Sequence, residues 1–191
     1  MSERLVLAST SPQRRAILEQ LRIPFEVVAP TYVEHDPPGL RPDELVREHA
    51  EGKARSVYAE GQLTLGVDTA VVLDGRVYGK PVDRDDAARM LHELSGRTHA
   101  VISGVCLLGS SEDVIGHEIT EVTFRLLSPD AATTYLESGE WEGRAGAYAI
   151  QGLGGRLVER IDGDYLNVVG LPGALLVGLL EHHAPNLLQT A

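Results

Sequence analysis

Apolar residues recur along this chain in two periods, and the change from one to the other marks its elements. Leu5-Val6-Leu7-Ala8 and Phe25-Glu26-Val27-Val28 are short apolar runs of strand length. Between them Ile17, Leu18 and Leu21 form a helical stripe. Leu45, Val46, Ala50, Ala54 and Val57 repeat that spacing between Pro42 and Glu60, with Asp43 and Glu44 in the first turn, where the helix dipole favours acids. Leu63 to Lys80 predicts a hairpin, because two apolar runs flank Asp74-Gly75, a strong two-residue turn. Asp85 to Leu94 predicts a helix with Ala87, Met90, Leu91 and Leu94 inward and Gly96 as its C-cap. Thr98 to Leu108 and Ile115 to Leu127 predict two long strands, the second alternating Val122, Phe124 and Leu126 with Glu121, Thr123 and Arg125. Ser128-Pro129 opens a further helix that Gly139 ends, and Ala174 to His182 closes the chain as a mostly apolar helix. Strands outnumber helices in the middle of the chain, which predicts one long mixed sheet with helices packed on it.

Within that frame the stretch Leu5 to Arg15 is the most informative. A strand runs into the small-residue loop Ser9-Thr10-Ser11, and a helix opens at Pro12 with Ser11 as its N-cap. Arg14 and Arg15 then fall in the first turn, where the positive end of the macrodipole disfavours cations. Two readings fit: a pair of exposed arginines on an ordinary helix, or a cradle of backbone N–H groups and guanidinium forks for a phosphate chain.

Composition narrows the partners. The 191 residues carry a formal charge of −11, which speaks against nucleic-acid or anionic-membrane binding, so any phosphate site must be local. No apolar run approaches the roughly 20 residues that span a bilayer, and no signal-peptide core is present. Cys106 is the single cysteine, which excludes a disulfide framework and a thiolate zinc cluster. A soluble protein of the reducing cytoplasm is the expectation. Among 17 basic residues only Lys53 and Lys80 are lysine. Where an arginine-rich chain keeps lysine, a site can need a compact ammonium in place of a planar fork; chance is the competing reading.

Several residues carry candidate chemistry. Glu34, His35 and Asp36 cluster in the proline-rich loop Thr31 to Pro42, and Lys53 lies on the following helix, where a solvated lysine is the default reading. Asp68 stands within an apolar strand, and a buried lone carboxylate wants a cation or a metal. Simple hairpin register sets Thr69 opposite Lys80 and Asp68 opposite Pro81. A bulge near Gly79 would bring Asp68 and Lys80 to one face, and an ion pair closing the hairpin is the plainer alternative. The block Ala145 to Pro172 is glycine-rich but lacks both the phosphate-loop and dinucleotide signatures. In it Gln151 offers an amide able to read a base edge, or is an ordinary loop glutamine.

Taken together, Leu-Ala-Ser-Thr-Ser-Pro-Gln-Arg-Arg at 7–15, Gly-Val-Asp-Thr at 66–69 with Gly-Lys-Pro at 79–81, Leu-Ser-Gly-Arg-Thr-His at 94–99, and Ala-Gly-Ala-Tyr-Ala-Ile-Gln-Gly at 145–152 with Val-Gly-Leu-Pro at 169–172 resemble the Maf family of nucleotide pyrophosphatases. The resemblance implies a single domain over 1–191 with an elongated, two-lobed α/β fold like that of inosine triphosphatases: a long bent mixed β-sheet flanked by helices, with a deep central cleft, commonly as a homodimer. It implies hydrolysis of nucleoside triphosphates between the α- and β-phosphates, with Mg²⁺ or Mn²⁺. Carried over by motif, Ser11, Arg14 and Arg15 would bind phosphate, Glu34 and Asp68 would form the acidic pair and hold the metal, Lys53 and Lys80 would be the lysines, and Thr69 and Gln151 would lie on the base side. Asp68 would be the general base. Gln13 departs from the pattern: pyrimidine-preferring members carry arginine there and the methylated-guanosine branch tryptophan. Asp68-Thr69 and Ile150-Gln151-Gly152 resemble the pyrimidine branch, whereas the opening Leu7 to Pro12 resembles the other. Two other classes compete: a phosphatase using an aspartyl-phosphate, which Ala70 disfavours by standing where its second acid should fall, and a non-catalytic nucleotide-binding regulator of cell division.

Overall fold

Strand β1 (Leu5–Ala8) is buried along its whole length, and its position explains the absence of alternation in its sequence. It runs parallel between β2 (Phe25–Val28) and β3 (Leu63–Leu73), with Leu5 opposite Phe25 on one side and Leu63 on the other. A parallel strand covered on both faces reads as a continuous apolar run. The computed structural model describes residues 4–37, 39–109 and 113–189. Its sheet has seven strands in the order β2-β1-β3-β5-β6-β7, with β4 (Arg76–Tyr78) paired to β3, β5 at Thr98–Leu108, β6 at Val114–Phe124 and β7 at Val158–Asp162. Parallel and antiparallel pairs coexist, so the predicted mixed sheet is present. Asp74 and Gly75 both take positive φ, 52° and 77°, as a tight two-residue hairpin turn requires.

The chain divides into two compact units, Met1–Thr69 with Ser103–Glu118 and Gly170–Ala191, and Ala70–Ile102 with Ile119–Val169. In the first, α1 (Pro12–Gln20) starts where Ser11 caps the Arg14 N–H, with Pro12 at the first helical position. Helix α2 (Pro42–Arg55) turns Leu45, Val46, His49, Ala50, Lys53 and Ala54 inward, so Lys53 sits on the buried face of its helix and not on a solvated one. The backbone of α2 lies directly on the sheet. A methyl group at Gly66 of β3 would meet the Ala50 carbonyl oxygen at 2.0 Å, and one at Gly104 of β5 would meet that of Val46 at 2.1 Å. Only glycine allows this approach, and it sets the height of His49 and Lys53 above β3. Helix α6 (Gly173–His183) completes the unit, buried through Gly173, Leu176 and Leu180.

In the second unit α3 (Arg84–Leu94) begins one residue before the predicted start, because Asp83 accepts the Asp86 N–H at 2.8 Å and is the true cap. Its residues Ala87, Met90, Leu91 and Leu94 pack with Val71, Leu73 and Phe124. Helix α4 (Pro129–Glu137) starts from Ser128 as predicted, and a short helix α5 (Tyr165–Val169) precedes the return to the first unit. Strand β6 stops at Phe124, short of the predicted Leu127. The Arg125 N–H turns to the Leu157 carbonyl and Leu126 is 81% exposed, so the alternation outlasts the ladder. No helix among the described residues is long and apolar enough to cross a membrane.

Candidate active site

Two hydrogen-bonded groups in the first unit meet at the adjacent residues Asp68 and Thr69 of β3. The first group surrounds Arg14. Its Nε donates to the Gly170 carbonyl at 2.9 Å, Nη1 to Ser9 Oγ at 3.2 Å and Nη2 to Thr69 Oγ1 at 3.3 Å. Thr69 Oγ1 lies 2.9 Å from the hydroxyl of Ser103, a buried residue of β5, and donates to Gly170 at 3.3 Å. Three of the five guanidinium N–H bonds are thereby spent within the protein, leaving one on each terminal nitrogen for an anion. Burial draws the Arg14 pKa down, against the opposing charges of Asp68 and Glu34. Ser11 donates to Gln13 Oε1 at 3.2 Å and caps the same helix start. Arg15 is exposed one residue on and has no side-chain partner among the described residues. Ser9, which carries one arm of Arg14 from five residues away, and Ser103, which braces Thr69 from 34 residues away, were not singled out from the sequence; Ser103 is a small hydroxyl whose partner lies in a distant segment.

The second group is ionic. Lys53 Nζ lies 2.5 Å from Asp68 Oδ1 and 2.6 Å from Glu34 Oε1. His49, one turn earlier on α2, places Nδ1 3.5 Å from Asp68 Oδ2, and its Nε2 faces the His35 carbonyl at 3.2 Å. Burial alone would raise the Asp68 pKa. Contact with His49 and the charges of Lys53 and Arg14 outweigh it and hold the carboxyl below its ordinary value, so Asp68 is ionised. The Asp68 contact raises the His49 pKa against the opposing effect of burial.

Glu34 reaches this group because its loop folds onto α2. The Tyr32 ring fills the space over Gly52, where a methyl group would meet it at 2.3 Å, and the Thr31 N–H donates to Ser56 Oγ at 3.2 Å. Glu34, His49 and Asp68 each place a possible ligand atom within 4.8 Å of the others. The two carboxylates suit a hard divalent cation such as Mg²⁺ or Mn²⁺, and the Lys53 ammonium between them shows that this spot draws positive charge. His49 suits such an ion less, since both its ring nitrogens already face acceptors.

Lys80 and Gln151 belong to the second unit, and both are exposed. Lys80 follows Gly79, whose carbonyl accepts the Gly146 N–H at 3.1 Å. The β3–β4 ladder is regular and ends at Val71 opposite Tyr78, before Thr69 or Lys80 could pair. The ammonium beside Asp68 is therefore that of Lys53. Around Gln151 the loop is held by the Ala149 N–H on the Tyr135 hydroxyl at 3.0 Å and the Leu153 N–H on Glu140 at 2.7 Å.

Helices on a mixed sheet, with an arginine-bearing helix start next to an acidic pair that could hold a metal ion, define an α/β protein of one recognisable class. The model of the Maf-like protein family matches residues 4–183, and the chain belongs to that family. It is similar to the dTTP/UTP pyrophosphatase of Gloeobacter violaceus, with 46% identity over 182 residues covering 94% of this chain and 96% of the relative. It is also similar to the dTTP/UTP pyrophosphatase of Symbiobacterium thermophilum, with 48% identity over 172 residues and 89% of each chain covered. A solved HAM1 protein from Coxiella burnetii aligns over 64% of this chain and 73% of its own at 18% identity, with a TM-score of 0.43, too low to bear on function.

Proposed function

We propose that this chain is a nucleoside-triphosphate pyrophosphatase acting on pyrimidine nucleotides, dTTP and UTP foremost, and that the Arg14 and Asp68 groups are its reaction centre. The observation that carries the reading is the adjacency of Asp68 and Thr69. The middle of β3 presents an ionised carboxylate braced by Lys53 at 2.5 Å and, on the next residue, a hydroxyl bonded to the phosphate-side guanidinium at 3.3 Å. A carboxylate that can take a proton from water thus stands beside donors for the phosphate it would attack. The relatives' names supply the substrate class.

In this reading the triphosphate lies on the N-terminus of α1, held by Ser11, Arg14 and Arg15, with Lys53 countering the charge that grows on the leaving group, a role Lys80 shares by motif alone. Asp68 accepts the proton of a water whose oxygen bonds to the α-phosphorus. The bridging bond from the α-phosphorus to the β-phosphate oxygen breaks, and pyrophosphate leaves with the monophosphate as co-product. Glu34 and Asp68 would hold Mg²⁺ or Mn²⁺, which when bound screens phosphate charge. Thr69 and Gln151 are assigned to the base side by motif, and Gln13, which departs from the motif, is taken as a substrate-binding residue at the helix start. Cytoplasmic location and a homodimer extend the reading, and sedimentation of the purified chain tests the second.

The decisive experiment incubates the protein with Mg²⁺ and a panel of dTTP, UTP, dCTP, dATP and dGTP and separates pyrophosphate from orthophosphate. Pyrophosphate with dTMP or UMP is the expected result. Orthophosphate alone would indicate a phosphatase, and nucleotide binding without products would indicate a regulator; either overturns the reading.

A further inference from the structure

We propose that His49 is the positioning residue of this centre, setting Asp68 by direct contact and Glu34 through the loop that carries it; the inference rests on the functional reading above. His49 is 4% exposed on the inner face of α2, and its two nitrogens touch two different segments. Nδ1 faces Asp68 Oδ2 at 3.5 Å on β3, while Nε2 faces the His35 carbonyl at 3.2 Å and Asp36 Oδ1 at 3.3 Å in the loop. Both ring nitrogens are thus turned towards oxygen acceptors on two different segments, so the ring ties the segments together, although it lies close enough to the two carboxylates to be taken for a third ligand.

What the imidazole does instead follows from its contacts. Asp68 has two oxygens: Lys53 holds Oδ1 and His49 faces Oδ2. With both engaged the carboxylate cannot rotate; with one it can pivot about the lysine. Glu34 is bracketed in the same way. Tyr32 against Gly52 fixes the chain on its N-terminal side, and the His49 contact with the His35 carbonyl fixes it on the other. Glu34 itself is 53% exposed, so beyond its ion pair with Lys53 its position depends on the anchors of its loop to α2. Simple packing on the inner face of a helix would be met by leucine, and a buried imidazole is costly unless both its polar atoms are satisfied, as they are here.

Three variants test the inference, each checked for a cooperative melt. H49L removes both contacts. H49N keeps a donor near the position of Nδ1 and loses the reach to the loop. H49Q keeps a donor near the position of Nε2 and loses Asp68. Backbone ¹⁵N relaxation of Val33 to Asp36, measured without nucleotide, should show order parameters falling from about 0.85 to below about 0.6 in H49L and H49N and recovering in H49Q. With dTTP and Mg²⁺, kcat should fall about 10- to 100-fold in H49L, the range for groups that orient a reactive carboxylate or ligand from behind, with KM within about threefold. H49N should regain part of that kcat. Loop order in H49L and H49N equal to the parent's overturns the inference whatever the activity, and so does parental kcat in H49L. A parent that releases no pyrophosphate would sink the functional reading instead, and the relaxation data alone would then decide the tether. Should H49L not fold, H49N supplies the loop readout.

Discussion

Lys53 Nζ lies 2.5 Å from Asp68 Oδ1, and the same ammonium reaches Glu34 Oε1 at 2.6 Å, so one lysine occupies the point on which both candidate metal ligands converge. A divalent cation bridging those carboxylates competes with it for the same oxygens. K53M should therefore tighten Mn²⁺ binding, measured by titration without nucleotide, by about tenfold, the equivalent of about 1.4 kcal/mol of relieved repulsion. Pyrophosphate release should fall in the same variant, because the charge meant for the substrate is gone. Mn²⁺ affinity unchanged in a folded K53M would show that metal and ammonium do not share the site.

Asp68 is held ionised by its neighbours despite burial. D68N keeps the shape and one acceptor but removes the basicity. Turnover should drop ~10²- to 10⁴-fold, the usual cost of losing a general base. Single-turnover assays at saturating metal and dTTP measure the chemical step; a rate near the parent's would assign the proton to another group.

The approach of α2 to the sheet gives a prediction about stability. An alanine at Gly66 would put its methyl 2.0 Å from the Ala50 carbonyl oxygen and 2.8 Å from the Ala54 nitrogen, which are backbone atoms that cannot swing aside. G66A should cost about 1–3 kcal/mol or more by forcing the helix off the strand. Because the same helix carries His49 and Lys53, kcat should fall even in the fraction that folds. Urea unfolding and turnover of the soluble protein check the two effects separately.

These relationships also show which parts of the molecule were legible in the sequence. Helix starts at Ser11-Pro12 and Ser128-Pro129 and the turn at Asp74-Gly75 lie where local chemistry sets them, and β5 spans the predicted Thr98–Leu108. Capping and positive φ are properties of neighbouring residues, so they can be read locally. His49 was missed because the inward stripe of α2 was traced through its apolar members alone. Its place four residues before Lys53 and next to Ala50 was the available signal. The loop that brings Glu34 to Lys53 depends on Tyr32 meeting Gly52, a non-local contact that no pattern within the loop records. Likewise the apolar run of β1 could indicate burial on both faces, but not that β2 and β3 would be the strands on either side.

A final prediction concerns acid stability and comes from the second unit. His99 is 2% exposed, stacked edge-on against Phe124 and Tyr148, with Nε2 2.9 Å from the Tyr148 hydroxyl and Nδ1 without a partner among the described residues. Burial lowers its pKa from 6.5 to about 4. Between those values the unfolded chain binds a proton that the folded protein refuses, so this residue's contribution to stability is present above about pH 6.5 and is lost as the pH falls towards about 4. From about pH 7 to about pH 4.5 the loss should reach about 2 kcal/mol. H99Q retains a polar partner for Tyr148 and cannot titrate, so its unfolding free energy should fall by about 2 kcal/mol less than the parent's over that interval. Urea midpoints at the two pH values decide the matter: the truncation itself lowers both by a similar amount, so the difference between them isolates the proton. Equal pH dependence in parent and variant would mean that His99 takes up its proton in the folded state, which its sealed ring contacts do not allow.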